Sequence, residues 1–291
     1  MAVVPSLQEQ HSSGKMVKSQ IAKCAEPLPI RWSRQLPQNC VPSTITVKLS
    51  PSGRWSVSLR VNDTRDLRLK PVTKQIGIDL GITSLITNSD GEKVANPKNL
   101  QRLHKKLRLA QKSLDRKTKG SNNYQKARLK VARIHAKIKD SRLDYTHKLT
   151  TQLIRENQTI VVEDLAVKNM VKKRCDPATT SVARERAPRD HKLARAISDA
   201  NWGEIVRQLE YKAQWYGRTL IKIDRYFPSA SFRGASLTKR CSNCGHVVEK
   251  LPLSIREWDC PECAAHHDRD INASINILAA GGAVSVCGAR L

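Results

Sequence analysis

The 291-residue sequence predicts an α/β fold with a mixed sheet that is interrupted by a long basic helical hairpin and later by a small zinc-binding insertion. Three observations support this prediction. Three short apolar strands follow one another from residue 75, a charged helical segment covers 98–156, and strands then alternate with helices. Two CxxC pairs precede the last helical segment, Cys241/Cys244 and Cys260/Cys263.

The two cysteine pairs predict a structural zinc site. Each CxxC turn directs two sulfurs toward one point, and two such turns complete the tetrahedral thiolate set that zinc prefers. A disulfide pair or a chance arrangement is the alternative, and the spacing makes it the weaker one. The expected zinc ligands are therefore Cys241, Cys244, Cys260 and Cys263.

The net charge is the most unusual bulk property. The 52 Lys and Arg against 26 Asp and Glu give +26, which predicts a polyanionic partner, with nucleic acid as the first candidate. An anionic membrane is the second candidate, but the sequence contains no run of about 18 apolar residues and no signal-peptide pattern. We expect no membrane partner and a cytoplasmic location, in which the other four cysteines stay reduced.

The N-terminal part predicts an arm followed by a β-hairpin. Residues 1–29 are polar and show no clean period, so we interpret them as a poorly ordered arm. Between Ser43 and Val61, apolar and polar residues alternate on both sides of the turn Pro51-Ser52-Gly53. This pattern is typical of two antiparallel strands joined by a turn.

Two apolar strands carry carboxylates. Asp79 lies in the first strand of a three-stranded meander, between Gly77 and Gly81, and Glu163 lies near the end of an apolar strand over 159–165. Each acid taken alone could be a turn residue or the partner of a nearby lysine. Neither is sufficient evidence for a site.

Residues 98–156 predict a helical hairpin. Leu100, Leu103 and Leu107 recur at helical spacing, Gly120 interrupts the run, and basic residues cover the other faces. Such a surface is usually just solvated, but the excess of positive charge here favours contact with phosphates.

The stretch from about 166 to 192 has no clear assignment, and a helix is expected over 198–217, with Ser198 as its N-cap and Gly217 near its end. A strand over 218–224 leads to the zinc segment. After it, a helix from Asp268 to Ala280 is predicted to bury Ile271, Ile275 and Leu278 and to end at Gly281-Gly282.

The order of these elements predicts a carboxylate site. Three strands, helix, strand, helix, strand, zinc insertion and helix is the order of a ribonuclease-H-like fold, in which the first and fourth strands are neighbours. Asp79 and Glu163 can then face each other, and the last helix can bring Asp270 to the same edge. Three converging carboxylates are costly without a cation, and oxygen ligands select magnesium or manganese. Two such ions about 4 Å apart can activate water for phosphodiester hydrolysis, which favours a metal-dependent nuclease.

Six segments carry a family resemblance: Gly77-Ile78-Asp79-Leu80-Gly81, Val162-Glu163-Asp164-Leu165, 194–199, 208–212, 241–245 and 268–273. They closely resemble the TnpB proteins of insertion sequences, also called OrfB transposases, over roughly residues 30–280. The resemblance implies a RuvC-like nuclease core with an inserted zinc ribbon, related to type V CRISPR effectors. It also implies a transposon-associated protein that uses a guide RNA derived from the transposon end to cut target DNA in a prokaryotic cytoplasm.

The resemblance also implies residue roles and domain bounds. Asp79, Glu163 and Asp270 are the implied catalytic, magnesium-binding carboxylates, with Asp268 as the second choice for the third acid, and the four cysteines are the zinc ligands. The implied domains are the remnant of an N-terminal β-barrel (wedge) domain at 30–70, the RuvC-like core at 71–228 with the helical hairpin at 98–156, the zinc ribbon at 229–266, the last helix at 267–282 and a tail at 283–291.

The N-terminal arm departs from the family pattern. Family members begin with a further strand-rich segment and a helical recognition lobe, so the sequence suggests a shortened form. The alternative function is a non-cleaving RNA- or DNA-binding remnant of such a nuclease. A structural zinc-ribbon protein of the ribosomal kind would leave Asp79 and Glu163 unexplained. The sequence leaves the oligomeric state open.

Overall fold

The computed structural model describes residues 17–19, 28–33, 36–37, 40–171, 191–224, 237–252 and 254–286. The strands in these ranges are β1 Val17–Ser19, β2 Leu28–Ile30, β3 Thr44–Leu49, β4 Trp55–Arg60, β5 Gln75–Leu80, β6 Ser84–Asn88, β7 Lys93–Ala95, β8 Thr159–Asp164, β9 Thr219–Asp224, β10 Glu257–Asp259 and β11 His266–Asp268. The helices are α1 Asn99–Asp115, α2 Asn122–Glu156, α3 Val167–Val171, α4 His191–Ala200, α5 Trp202–Tyr216 and α6 Arg269–Val286, with a single 3-10 turn at Leu237–Lys239.

A five-stranded mixed sheet lies at the centre of the fold, in the order β7-β6-β5-β8-β9. Strands β5 to β7 form an antiparallel meander, whereas β8 runs parallel to both β5 and β9. Ile78 lies opposite Val162, so the next residues, Asp79 and Glu163, are neighbours at the carboxyl ends of their strands. The predicted α/β class, the meander and the adjacency of the two acid-bearing strands are confirmed.

Helices cover both faces of this sheet because the central strands alternate their buried side chains. Ile160 and Val162 of β8 belong to a core cluster that also contains residues of α2, α4 and α5. Val161, between them, packs on the other face with Ile277 of α6. The sheet is therefore a middle layer, with α6 alone among these helices on the second face.

Two glycines allow α6 to lie unusually close to the sheet. A Cβ atom on Gly77 of β5 would stand 2.2 Å from the backbone oxygen of Ser274, and one on Gly281 would stand 2.5 Å from both methyl groups of Val161. The helix therefore continues through Gly281 and Gly282 to Val286. The prediction that these glycines end the helix was wrong, because Gly281 serves close packing and not termination.

The predicted buried face of α6 also needs correction. Ile271, Ile275 and Leu278 are only half-buried, whereas Asn272, Ser274 and Asn276 are buried beside Ala273 and Ile277. A hydrophobic pattern could not predict this buried face, because the side chains of Asn272 and Asn276 are buried with their amides hydrogen-bonded.

The predicted helix over 198–217 is two helices, α4 and α5. Ser198 lies inside α4, where its hydroxyl donates to the Ala194 carbonyl, so the N-cap assignment was wrong. Asn201, with φ 60°, separates the helices, and α4 begins at His191, within the stretch that had no assignment. Gly217 ends α5 as predicted, with φ 65° and its N–H donating to the Ala213 carbonyl.

The chain divides into two compact units. The first contains Met1–Asp66 and Leu109–Ala136, and the second contains Leu67–Arg108 and Lys137–Leu291. In the first unit, β3 and β4 form the predicted antiparallel hairpin, in which Ile45 lies opposite Leu59. Strands β1 and β2 also pair, so the expectation of a poorly ordered arm over 1–29 fails for these short segments. The second unit holds the central sheet.

Some predictions lie outside the described residues. These are most of the arm at 1–29, the start of the zinc insertion at 229–236 and the end of the tail at 287–291. The helical hairpin is confirmed as α1 and α2. In the part of the chain that the structure describes, no helix is long and apolar enough to cross a membrane.

Candidate active site and zinc centre

Three carboxylates influence one another at the carboxyl end of β5. Burial first, and then the negative charges of Asp270 and Glu163, together raise the pKa of Asp79 to about 7. A hydrogen bond from the Leu80 backbone and the charge of Arg269 oppose this only in part. The sequence-predicted acids are thus brought together, from β5, β8 and the first turn of α6.

Asp268 and Asp270 have different surroundings, although only one residue separates them. Asp268 accepts hydrogen bonds at 3.1 Å from the backbone N–H groups of Asp270 and Ile271, and at 2.6 Å from Lys93 Nζ. Burial alone would raise the pKa of Asp268, but the hydrogen bond from Lys93, together with that from Ile271, outweighs it and lowers the pKa. Asp268 therefore acts as a helix cap and ion-pair partner.

Asp270 is the acid of this pair whose charge raises the pKa of Asp79. Its Oδ1 lies 3.7 Å from Nη1 of the exposed Arg256, which approaches from the zinc-binding segment. This is a long and partly exposed ion pair, which contributes little stability and leaves the carboxylate available to a cation. The arrangement favours Asp270 over Asp268 as the third site acid.

The donor set fits a hard divalent cation. Asp79, Glu163 and Asp270 offer only oxygen atoms, which are the ligands that magnesium and manganese prefer. The raised pKa of Asp79 shows that its negative charge is undercompensated by the protein alone. A cation bound here would remove that cost.

The four predicted cysteines form one cluster in the second unit. Their sulfur atoms all lie within 4.8 Å of one another, with 3.7 Å between Cys241 and Cys263 and 3.6 Å between Cys244 and Cys260. A disulfide needs about 2.05 Å, whereas sulfurs at about 2.3 Å from a central zinc lie about 3.8 Å apart. The geometry therefore excludes disulfides within the cluster and fits a tetrahedral zinc ion.

The two CxxC turns have the same backbone structure. Cys241 N–H donates to the His246 carbonyl and Cys260 N–H to the Ala265 carbonyl, at 2.8 and 2.9 Å. In each turn the fourth residue after the first cysteine donates back to that cysteine and has a positive φ: 82° at Gly245 and 55° at Ala264. Two copies of one local conformation thus present the four sulfurs.

His267 supports the cysteine cluster. Its Nε2 lies 3.0 Å from Cys241 Sγ, and its ring packs against Trp258 with centroids 4.9 Å apart. Burial, and next the neighbouring His266, lower the pKa of His267, so the neutral ring can donate Nε2–H to a zinc-bound thiolate. The sequence shows a histidine just after the second knuckle, but its spacing does not indicate this contact.

The other supporting residues gave no sequence signal. Lys93 lies far from Asp268 in sequence, and Arg256 reaches Asp270 only because β10 pairs with β11 directly before α6. Asn272 and Asn276 look like helix-surface residues by composition, yet both are buried.

Two family profiles match the chain. One, described as "Probable transposase" of the OrfB_IS605 type, covers residues 57–174, which include Asp79 and Glu163. The other, described as "Cas12f1-like, TNB domain", covers residues 202–277, which include the four cysteines and Asp270. The chain belongs to the TnpB/OrfB family. The first matched segment contains Asp79 and Glu163, and the second contains the four cysteines and Asp270.

Relatives of this chain come from several organisms. A Streptomyces pristinaespiralis protein is 52% identical over 269 residues, and InsQ of Escherichia coli strain K12 is 35% identical over 258 residues; both are named "Putative RNA-guided DNA endonuclease". These matches cover 92% and 89% of this chain. TnpB-like protein L79 of Acanthamoeba polyphaga mimivirus is 21% identical over 84% of this chain. The chain spans 60% and 61% of the length of the first two relatives.

Proposed function

We propose that this chain is a transposon-associated, RNA-guided DNA endonuclease with a RuvC-like core that depends on magnesium or manganese. The observation that carries the proposal is the convergence of Asp79, Glu163 and Asp270 in a strongly basic protein. A cluster of negative charges is costly to assemble unless a cation compensates it, which makes a metal-binding role the best explanation. The names of the relatives agree with this function.

The three carboxylates would hold the catalytic ions. Divalent ions at this edge would supply a nucleophilic water at neutral pH and would stabilise the leaving oxygen of a phosphodiester. Asp79, whose pKa is raised to about 7, would lose its proton on binding a cation, because cation and proton compete for the same carboxylate. Asp268 and Lys93 hold the first turn of α6, which fixes the backbone that carries Asp270.

The basic helices would hold the nucleic acids. Together α1 and α2 carry 14 lysines and arginines against four acids. Such a surface binds phosphates without regard to sequence, so sequence specificity falls to a guide RNA that pairs with the target DNA. The guide RNA would derive from the transposon end. A protein that acts on this RNA and on target DNA would work in the cytoplasm of a prokaryote.

The test is a guided cleavage assay. The protein is copurified with its RNA, the RNA is sequenced, and matched and mismatched DNA duplexes are offered with magnesium. We expect cleavage of the matched duplex by the wild type and none by Asp79→Ala, with RNA binding nearly unchanged in the variant. Binding of RNA without cleavage by the wild type would instead support a non-cleaving nucleic-acid-binding protein.

A further inference from the structure

We infer that Asn272 and Asn276 are positioning residues that join the first zinc knuckle to α6, so that zinc in the ribbon fixes the position of Asp270. The inference rests on the proposed function in so far as Asp270 serves cleavage. It assigns to the zinc centre a role in the active site, although three of its four cysteines belong to a separate small hydrophobic cluster.

The two asparagines bind the backbone that leads into the knuckle. Asn272 Oδ1 accepts from the Ser242 N–H at 2.9 Å, and its Nδ2 donates to the Arg240 carbonyl at 2.7 Å. Asn276 Nδ2 donates to the carbonyls of Leu237 and Arg240 at 2.9 and 2.8 Å. Ser242 lies between the ligands Cys241 and Cys244, so the clamp holds the knuckle itself.

Burial makes these hydrogen bonds consequential. Asn272 is 1% exposed and Asn276 is 6% exposed, on a helix face that otherwise packs against apolar residues. A buried amide that loses its hydrogen-bond partners is destabilising, so both amides keep their hydrogen bonds only while the segment 237–242 keeps its conformation. That shape depends on Cys241 being held as a zinc ligand.

The clamp acts close to the reacting carboxylate. Asn272 is two residues from Asp270 in the first turn of α6, where backbone N–H groups lack intrahelical acceptors. Two further contacts join this turn to the ribbon: the Arg269 N–H donates to the Arg256 carbonyl, and Arg269 Nη1 donates to the Pro252 carbonyl, both at 2.8 Å. The ribbon therefore supplies much of the support for the helix start that carries Asp270.

Paired variants test this inference by cleavage and zinc content. Asn272→Leu and the milder Asn276→Leu remove the clamp, and Ala279→Leu is the matched control, because Ala279 lies exposed on the same helix. We expect Asn272→Leu to keep about one zinc per chain and its KM for DNA, while kcat falls about 10- to 100-fold, as displaced reacting groups cause. Ala279→Leu should resemble the wild type in zinc content, KM and kcat. Equal kcat in Asn272→Leu and Ala279→Leu would overturn the inference.

Hydrogen exchange tests the coupling without any activity. Zinc is removed from the wild type with a chelator, and amide exchange is compared in α6 and in the central strands. We expect the amides of 269–277 to lose protection while β5 and β8 keep theirs. Unchanged protection of the 269–277 amides in the zinc-free protein would overturn the inference. This experiment uses only the wild type, so it decides the question even if Asn272→Leu fails to fold. If the wild type does not cleave DNA, the proposed function fails and the exchange result still decides the coupling.

Discussion

The zinc centre and the carboxylate cluster are both convergent ligand sets, but the chain builds them in opposite ways. The zinc centre uses two copies of one short turn, each stabilised by its own backbone hydrogen bonds. The carboxylates come from β5, β8 and α6, and only the order of the sheet brings them together. A ligand set built from local turns can be recognised from spacing alone, whereas one built from topology requires the fold.

The two sets also differ in electrostatics. Burial and the neighbouring acids raise the pKa of Asp79, so its carboxyl group binds a proton more readily in the metal-free protein than a free aspartate does. The four cysteines have the geometry of a structural zinc site, so an ion there would stabilise the shape of the ribbon. In the proposed function, the divalent ion at the carboxylates would take part in the chemistry.

The largest effect is expected from separating the two neighbouring aspartates. Asp270→Asn should reduce cleavage by at least about 1,000-fold, corresponding to about 4 kcal/mol of lost transition-state stabilisation, because it would remove a proposed ligand of the catalytic ions. Asp268→Asn should cost about 10-fold, because it weakens the helix cap and the ion pair with Lys93. Single-turnover cleavage rates measure both, and a larger loss in Asp268→Asn would reverse the assignment.

Zinc loss should be nearly complete when one ligand of the ribbon is removed. Cys241→Ser is expected to lower bound zinc from about one per chain to near zero, because the remaining thiolates cannot complete the tetrahedron. Metal analysis of the purified variant measures this. The central sheet should keep its amide protection, and undiminished zinc would contradict the four-cysteine assignment.

A smaller effect is expected from the adjacent glycines of α6. Gly281→Ala should lower the free energy of unfolding by about 1–3 kcal/mol, because its Cβ would collide with Val161. Gly282→Ala meets no atom within 4 Å and should raise it by up to about 1 kcal/mol, since alanine is the better helix former. Denaturant unfolding of both variants gives the comparison, and equal stabilities would show that α6 is not held tightly on the sheet.

The smallest effect concerns the two knuckles. Ala264→Gly should stabilise the zinc-loaded ribbon by about 0.5–1 kcal/mol, because glycine accepts the positive φ of this position without strain. Gly245→Ala at the matching position should have the opposite sign, and its Cβ would also approach Arg240 Nη2 at 3.2 Å. Chelator competition for zinc measures both, and effects of the same sign would contradict the structural equivalence of the knuckles.

Most of the fold could be predicted because its signals are local. Short apolar runs predicted β5 to β9, and helical spacing predicted α1 and α2. The break between α4 and α5 could not be predicted, because it depends on a left-handed conformation at Asn201, which is not a glycine. The continuation of α6 past Gly281 could not be predicted either, because it depends on the close packing of Gly281 against Val161. The clamp by Asn272 and Asn276 was equally hidden, since its partners lie about 30 residues away in a turn.

Protonation of Asp79 links the carboxylate site to pH. In the metal-free fold its pKa is about 7, against an ordinary value of 3.8, so the folded state binds a proton that the unfolded state has lost. The free energy of unfolding should therefore fall as pH rises from about 4 to about 7, by up to about 4 kcal/mol, and Asp79→Asn should remove this dependence. Bound magnesium or manganese should also remove it, because the cation displaces the proton.

A manganese titration tests the central claim most directly. Wild type and Asp79→Asn, both zinc-loaded, are titrated near pH 7, and bound manganese and released protons are measured together. The carboxylate site predicts that the wild type binds manganese and releases roughly half a proton from Asp79, whereas the variant binds it far more weakly and releases none. Equal manganese affinity and equal proton release in the two proteins would contradict a metal site formed by Asp79, Glu163 and Asp270.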